Sequence, residues 1–166
     1  MRHINTDQLI EINGITYEIG SKIPFTGIEV DYYSFLNLNI LKKINFLTKL
    51  EKRFSYGDGK LEGPFKTYFK NGQLSAKGNY NGNGYMTFEH YFENGQLKAK
   101  GAFRDGSRDG KTEFYNENGQ LNSIVNHKNG KLEGPYETYF ENGQLKSIEI
   151  YESGILINKD TFEYPK

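Results

Sequence analysis

The chain has 166 residues, 21 basic and 21 acidic side chains, and no cysteine. This length allows one domain or one short repeat array. The balanced charge gives no overall field toward nucleic acid, and without cysteine there are no disulfides or thiolate-bound metals. No apolar run reaches the roughly 18 residues of a membrane-spanning helix, and the first residues show no signal-peptide core. We therefore expect a cytoplasmic protein without nucleic-acid binding.

The N-terminal residues 1–26 predict a capping hairpin. The stretch QLIEINGITYEI at 8–19 alternates around Asn13-Gly14, a typical hairpin turn sequence. We expect this hairpin to cover the N-terminal edge of a sheet, because an unpaired edge strand promotes aggregation.

Residues 27–59 form a degenerate copy of a unit that recurs later. GIEVDYY at 27–33 matches GPFKTYF at 63–69, but the turn that follows is replaced by an insertion at about 35–49. Three-residue spacing of its apolar residues indicates a short helix, and alternation around 36–40 equally indicates an extended hairpin tip. The insertion is either a lid over the sheet or a partner-binding element that uses Phe35, Leu38, Leu41, Lys42 and Lys43.

Four full copies of the unit follow at 59–153. The Asn-Gly pairs lie 23, 24 and 24 residues apart, and a second glycine column keeps the same spacing. The pairs are Asn71-Gly72, Asn94-Gly95, Asn118-Gly119 and Asn142-Gly143, and the glycine column is Gly59, Gly82, Gly106, Gly130 and Gly154. Residues 154–166 then read as a closing strand and C-terminal cap.

Each copy predicts a hairpin with a two-residue type I′ turn at Asn-Gly. In this register Lys66 lies opposite Lys77, Tyr68 opposite Ser75, and Glu89 opposite Lys100. Side chains alternate between the two faces of a strand, so phenylalanine and leucine columns would face the core. A single hairpin cannot bury its own face. The expected fold is all-β, an elongated, twisted array of consecutive antiparallel hairpins that forms one repeat domain over 1–166.

The opposite face predicts a surface for a partner. It carries a tyrosine column and two glutamate columns, which form either a solvated ladder that keeps the sheet soluble or a docking stripe for a basic partner. These residues are Tyr68, Tyr91, Tyr115, Tyr139; Glu89, Glu113, Glu137; and Glu93, Glu117, Glu141. Repeated, similar environments do not push carboxylate pKa values apart as acid–base catalysis requires.

Histidine and glycine patterns give no catalytic or cofactor site. His90 and His127 replace residues of structural columns, and the glycines mark turns instead of leading into a phosphate-binding helix. We expect no enzyme activity, no cofactor and no metal.

The repeated pattern G-x-x-x-G-P-[FY]-x-x-Y-[FY]-x-N-G-Q-L resembles the bacterial variant of the MORN repeat. The segment IPFTGIEVDYY also resembles the first repeat of the YwqK-type antitoxins. The resemblance covers about 20–153, and the insertion, Met86 and Asn116 depart from it. It implies a non-enzymatic antitoxin or immunity protein that neutralises a toxin by direct binding. The alternative is a scaffold or membrane-surface protein, and open sheet edges would allow self-association.

Overall fold

The computed structural model describes residues 3–12, 15–21, 23, 25–34 and 48–164. The turn at Asn13-Gly14 and residues 35–47 of the insertion lie outside the described residues, so neither a helix nor a hairpin tip is assigned there. The chain divides into two compact units, residues 1–82 and 83–166.

Unit 1 is a sheet with a small accessory hairpin. Its main sheet has the strand order β1-β4-β5-β6-β7, and β2 pairs with β3 in a sheet of its own. One turn of 3₁₀-helix, Thr6–Gln8, follows β1. The strands are β1 (His3–Asn5), β2 (Leu9–Ile12), β3 (Ile15–Glu18), β4 (Gly27–Ser34), β5 (Thr48–Gly57), β6 (Lys60–Tyr68) and β7 (Leu74–Asn81).

The N-terminal edge is covered differently from the prediction. The hairpin β2–β3 forms as expected, but β1 pairs with β4 in parallel and is the edge strand of the main sheet. The hairpin attaches instead to the turn at Gly59, through backbone hydrogen bonds from Thr16 to Gly59 and from Gly59 to Phe25. Phe25, at 1% exposure, is the most deeply buried large side chain among the described residues of this unit.

Unit 2 consists of consecutive hairpins. Its strand order is β8-β9-β11-β12-β13-β14-β15, with the short β10 paired to β9. All of its pairings are antiparallel, as predicted. The strands are β8 (Tyr85–Tyr91), β9 (Leu97–Arg104), β10 (Ser107–Arg108), β11 (Gly110–Tyr115), β12 (Leu121–Lys128), β13 (Lys131–Tyr139), β14 (Leu145–Glu152) and β15 (Ile155–Thr161).

The predicted type I′ turn at Asn-Gly is wrong. In the last copy, Gly143 N–H donates to Phe140 O and Phe140 N–H to Gln144 O, which closes a three-residue loop. Only the glycine has a positive φ, +82°, while the Asn142 side chain accepts the N–H of Gln144. Asparagine therefore serves as a side-chain turn former, and glycine supplies the left-handed residue.

Type I′ geometry occurs in the other glycine column. Both turn residues have positive φ at Asp58-Gly59, Asp105-Gly106, Asn129-Gly130 and Ser153-Gly154. In these turns two residues connect directly paired ones, as between Lys128 and Lys131. The sequence thus uses two different turns, one at each end of the strands.

A bulge follows every three-residue loop and restores the predicted register. Tyr68 lies opposite Leu74, not Ser75, and Ser75 is the extra residue before the pair Thr67–Ala76. From there Lys66 lies opposite Lys77, and Glu89 opposite Lys100, as predicted. Because directly opposed residues share a face, the leucine column lies on the tyrosine face and not on the predicted core face. We name the face that carries Glu113, Tyr115, Glu137 and Tyr139 the Tyr/Glu face.

The core of unit 2 lies on the opposite face and is small. Phe88, Thr112 and Val125 are buried there, and a Cβ at Gly101 would come within 2.8 Å of Thr112 Oγ1. The glycine therefore lets the Thr112 and Phe88 side chains pack directly on the backbone of β9. The predicted phenylalanine column (Phe69, Phe92, Phe140) is only half-buried.

The turn assignment predicts the effect of Gly143→Ala. A Cβ at Gly143 would meet no atom within 4 Å, so the substitution is opposed only by its left-handed backbone. We expect a loss of about 1–2 kcal/mol in the free energy of unfolding, measured by chemical denaturation. Glu141→Ala, in the same turn, is the control and should change little. Equal stability of the two variants would contradict the assignment.

Candidate functional site

Tyrosine–glutamate pairs recur along the Tyr/Glu face of unit 2. On this face, three strands carry a tyrosine that follows a glutamate by two residues and donates its hydroxyl to that carboxylate: Tyr91 to Glu89, Tyr115 to Glu113 and Tyr139 to Glu137. The same pair in β14, Tyr151 to Glu149, lies on the opposite face. Residues two apart in a strand share a face, which explains the pairing. The structure thus connects the predicted tyrosine column with the predicted column of Glu89, Glu113 and Glu137 through hydrogen bonds. Tyr68, in unit 1, comes two residues after Lys66, where the other copies have a glutamate.

Glu113 is saturated by partners from its own chain. Lys100 Nζ lies 2.8 Å from Oε2 and Lys111 Nζ lies 2.8 Å from Oε1. Burial alone would raise the pKa of Glu113, but hydrogen bonds from Lys100, Lys111 and Tyr115 outweigh it and lower the pKa to about 2. The charge at this position is therefore neutralised internally.

Glu137 has the same place in the repeat and different neighbours. Ile124 and Ile148 lie directly opposite it on the two adjacent strands. Among the described residues, no lysine or arginine makes an ion pair with it. Burial and the hydrogen bond to Glu137 raise the pKa of Tyr139 to about 12, so this hydroxyl stays protonated and keeps donating.

The other glutamate column lies at the hairpin ends. Glu93, Glu117 and Glu141 are exposed, and none of them receives a hydroxyl from the tyrosine column. Glu117 and Glu141 line an open groove of about 460 Å³, together with Asn116, Asn118, Asn122, Tyr139, Phe140 and Lys146.

The groove follows from two replacements in the third copy. In the fourth copy the bulge residue Lys146 lies over the Phe140 ring, at 5.8 Å, and Lys98 covers Phe92 in the second copy in the same way. In the third copy these positions hold Asn122 and Asn116, which hydrogen-bond to each other at 3.1 Å. The smaller pair leaves open the space that a phenylalanine and a lysine fill elsewhere.

The opposite face holds a cation that sequence reasoning missed. The Arg108 guanidinium lies 5.4–5.8 Å from the ring centres of Phe88, Phe103 and Phe114. Burial, with Arg108 nearby, lowers the pKa of His127, and burial, Lys98 and Arg108 lower that of His90. The signal was present in the sequence, because Arg108 occupies the column of Leu61 and Leu132.

The remaining candidate sites receive no structural assignment. Phe35, Leu38, Leu41, Lys42 and Lys43 lie outside the described residues. Within the described ranges, no three His, Cys, Asp or Glu side chains are grouped to hold a metal ion. No helix in that part of the chain is long and apolar enough to span a membrane.

Lys100→Met tests the electrostatics of Glu113. Removing this donor should move the pKa of Glu113 from about 2 toward its ordinary 4.5, measured by NMR titration of the carboxyl carbon. The folded pKa lies below the unfolded one, so the stabilisation is present above about pH 4.5 and disappears as the pH falls toward 2. The variant should therefore lose less stability over this window than the parent chain.

Lys128→Met, which removes an exposed lysine at a turn, is the control for Lys100→Met and should leave the Glu113 titration unchanged. An identical acid titration in the Lys100→Met variant would contradict the assignment.

Comparison with known proteins agrees with this repeat architecture. The MORN repeat variant family matches residues 61–81, 85–105, 108–129 and 132–153, together just over half of the chain. No curated protein matches the sequence. The four matches cover the four hairpins with three-residue loops at β6–β7, β8–β9, β11–β12 and β13–β14. The chain therefore belongs to the MORN repeat variant family.

Proposed function

We propose that the chain is a non-enzymatic antitoxin or immunity protein that neutralises a protein toxin by binding it directly through the Tyr/Glu face of unit 2. The MORN repeats indicate a repeat scaffold for protein binding. The observation that carries the proposal is the row of tyrosine–glutamate pairs on one face. Its tyrosines offer large contact areas at low entropic cost, and the Glu137 carboxylate, which no lysine or arginine of the described residues neutralises, favours a basic partner.

The groove supports a basic partner as well. Its lining includes Tyr139 of the Tyr/Glu face and two exposed carboxylates, Glu117 and Glu141, against one basic residue, Lys146. A concave site with aromatic walls and an acidic rim suits a protruding basic segment of another protein. Toxins that act on nucleic acids carry basic substrate grooves, and an acidic protein face could occupy one of them.

Charge reversal tests the proposal in cells and in solution. The chain is co-expressed with the product of the neighbouring gene, and growth and complex formation are measured. Glu117→Lys combined with Glu141→Lys should abolish protection and weaken binding at least about tenfold, or about 1.4 kcal/mol. These side chains are exposed, so folding should be unaffected.

The matched control carries the same change in net charge elsewhere. Glu152→Lys combined with Glu163→Lys alters two exposed residues outside the groove and should leave protection intact. The proposal fails if the parent chain neither restores growth nor forms a complex. Equal loss of protection in both double variants would show that general charge, and not the groove, determines binding.

A membrane-surface role is the second candidate, and one observation in unit 1 favours it. Arg53 lies opposite Lys66, which in turn lies opposite Lys77, so basic residues follow one another across three strands. Such a row attracts anionic lipid headgroups. We would measure co-sedimentation of the chain with phosphatidylserine liposomes. Binding by the parent chain that is lost in the Arg53→Gln, Lys66→Gln variant would support this role. Absence of binding by the parent chain would exclude it.

A further inference from the structure

We propose that Glu137 is the docking point for a basic side chain of the protein partner. The partner would supply at Glu137 the cation that the chain itself supplies at Glu113. The inference rests on the proposed function, since the basic side chain belongs to a bound protein, and it names the position and the chemistry of the contact.

The repeat provides the template for the occupied site. At Glu113, both carboxylate oxygens have a cationic partner, Lys100 Nζ at Oε2 and Lys111 Nζ at Oε1, each at 2.8 Å. The same lysine, Lys100, lies 5.9 Å from the ring centre of Tyr115. A carboxylate with a tyrosine two residues further along therefore already binds a basic side chain within this chain.

Glu137 has the same carboxylate oxygens as Glu113, but residues without a charge replace both lysines. The position of Lys100 is taken by Ile124, and that of Lys111 by Pro135. Tyr139 still donates to Oε2, which orients the carboxylate. The only side-chain hydrogen bond of the Glu137 carboxylate within the described residues goes to Oε2, and Oε1 is not among their buried unpaired atoms. This oxygen can therefore accept a hydrogen bond from a group of another molecule that approaches from the solvent side.

The apolar flanks favour a long basic side chain over a small ion. Ile124 and Ile148 border Glu137 on the two adjacent strands and lower the local dielectric constant, which strengthens an ion pair formed there. They also offer contact area to the methylene stem of an arginine or lysine. A metal ion would need further oxygen or nitrogen ligands. The described residues contain no cluster of three or more His, Cys, Asp or Glu side chains that could supply them.

Substitution of Ile124 gives a matched pair of variants. Ile124→Lys places a lysine where the preceding copy has Lys100, so the repeat accommodates it and the chain fills its own site. Ile124→Met has a side chain of similar length without the charge. We expect Ile124→Lys to bind the partner at least tenfold more weakly than Ile124→Met. Equal binding by the two variants overturns the docking point.

A small probe tests the site without the partner. Nα-acetyl-arginine amide is titrated into the full chain and followed by ¹H–¹⁵N NMR, with the citrulline analogue as the uncharged control. We expect saturable shifts centred on the amides of Glu137 and Tyr139 with arginine only, present in Ile124→Met and absent in Ile124→Lys. Equal shifts with citrulline, or none with arginine, would falsify the assignment.

The two proposals fail in different ways. If a complex forms equally well with Ile124→Lys and Ile124→Met, the antitoxin proposal stands and the docking point falls. If arginine binds at Glu137 while the chain neutralises no toxin, the basic-side-chain site stands and the antitoxin proposal falls.

Discussion

The left-handed glycine in each three-residue loop determines where the functional side chains point. Gly72, Gly95, Gly119 and Gly143 all have φ between +82° and +88°, and each closes a loop that is followed by a bulge. A shift of one residue in a strand would move every side chain to the other face. In the three copies of unit 2, the loop and the bulge together hold the register that brings the tyrosine–glutamate pairs of successive hairpins onto one face. The Tyr/Glu face therefore depends on a turn geometry that is repeated three times in unit 2.

Differences between the copies give the face its chemistry. The repeat alone would make every carboxylate alike, but the cross-strand neighbour changes from Lys100 at Glu113 to Ile124 at Glu137. One copy thus supplies a cation to its own carboxylate, and in the next copy the described residues supply none. The same reasoning applies to the groove, which exists because Asn116 replaces the phenylalanine of other copies. Positions where a copy departs from the others are the informative ones.

Much of the fold could be predicted from the sequence, because the repeat spacing fixes the hairpins and the strand alternation fixes most cross-strand pairs. The opposition of Glu89 and Lys100 followed from this register. The turn type did not, since Asn-Gly suits both a type I′ turn and a type I turn closed by glycine, and only the hydrogen bonds distinguish them. The bulge then placed Leu74 on the tyrosine face against expectation.

The sequence predicted which residues of the candidate site align in columns on one face, but it did not predict which side chains contact one another. Alternation placed Glu137 and Tyr139 on one face, but the missing cation depends on which residue of the next strand lies opposite. That was visible in the sequence once the register was known. Arg108 was missed because a cation in a leucine column packs on aromatic rings through its planar guanidinium, a role that hydrophobic patterning does not indicate.

Tyrosine footprinting of the complex tests the central claim most directly, because tyrosines of unit 2 report on both faces. Tyr115 and Tyr139 lie on the Tyr/Glu face, and Tyr136 and Tyr151 lie on the opposite face. Hydroxyl-radical labelling of the chain with and without its partner should show protection of Tyr115 and Tyr139, with Tyr136 and Tyr151 unchanged. Protection of Tyr136 and Tyr151 with continued labelling of Tyr139 would contradict a partner-binding Tyr/Glu face.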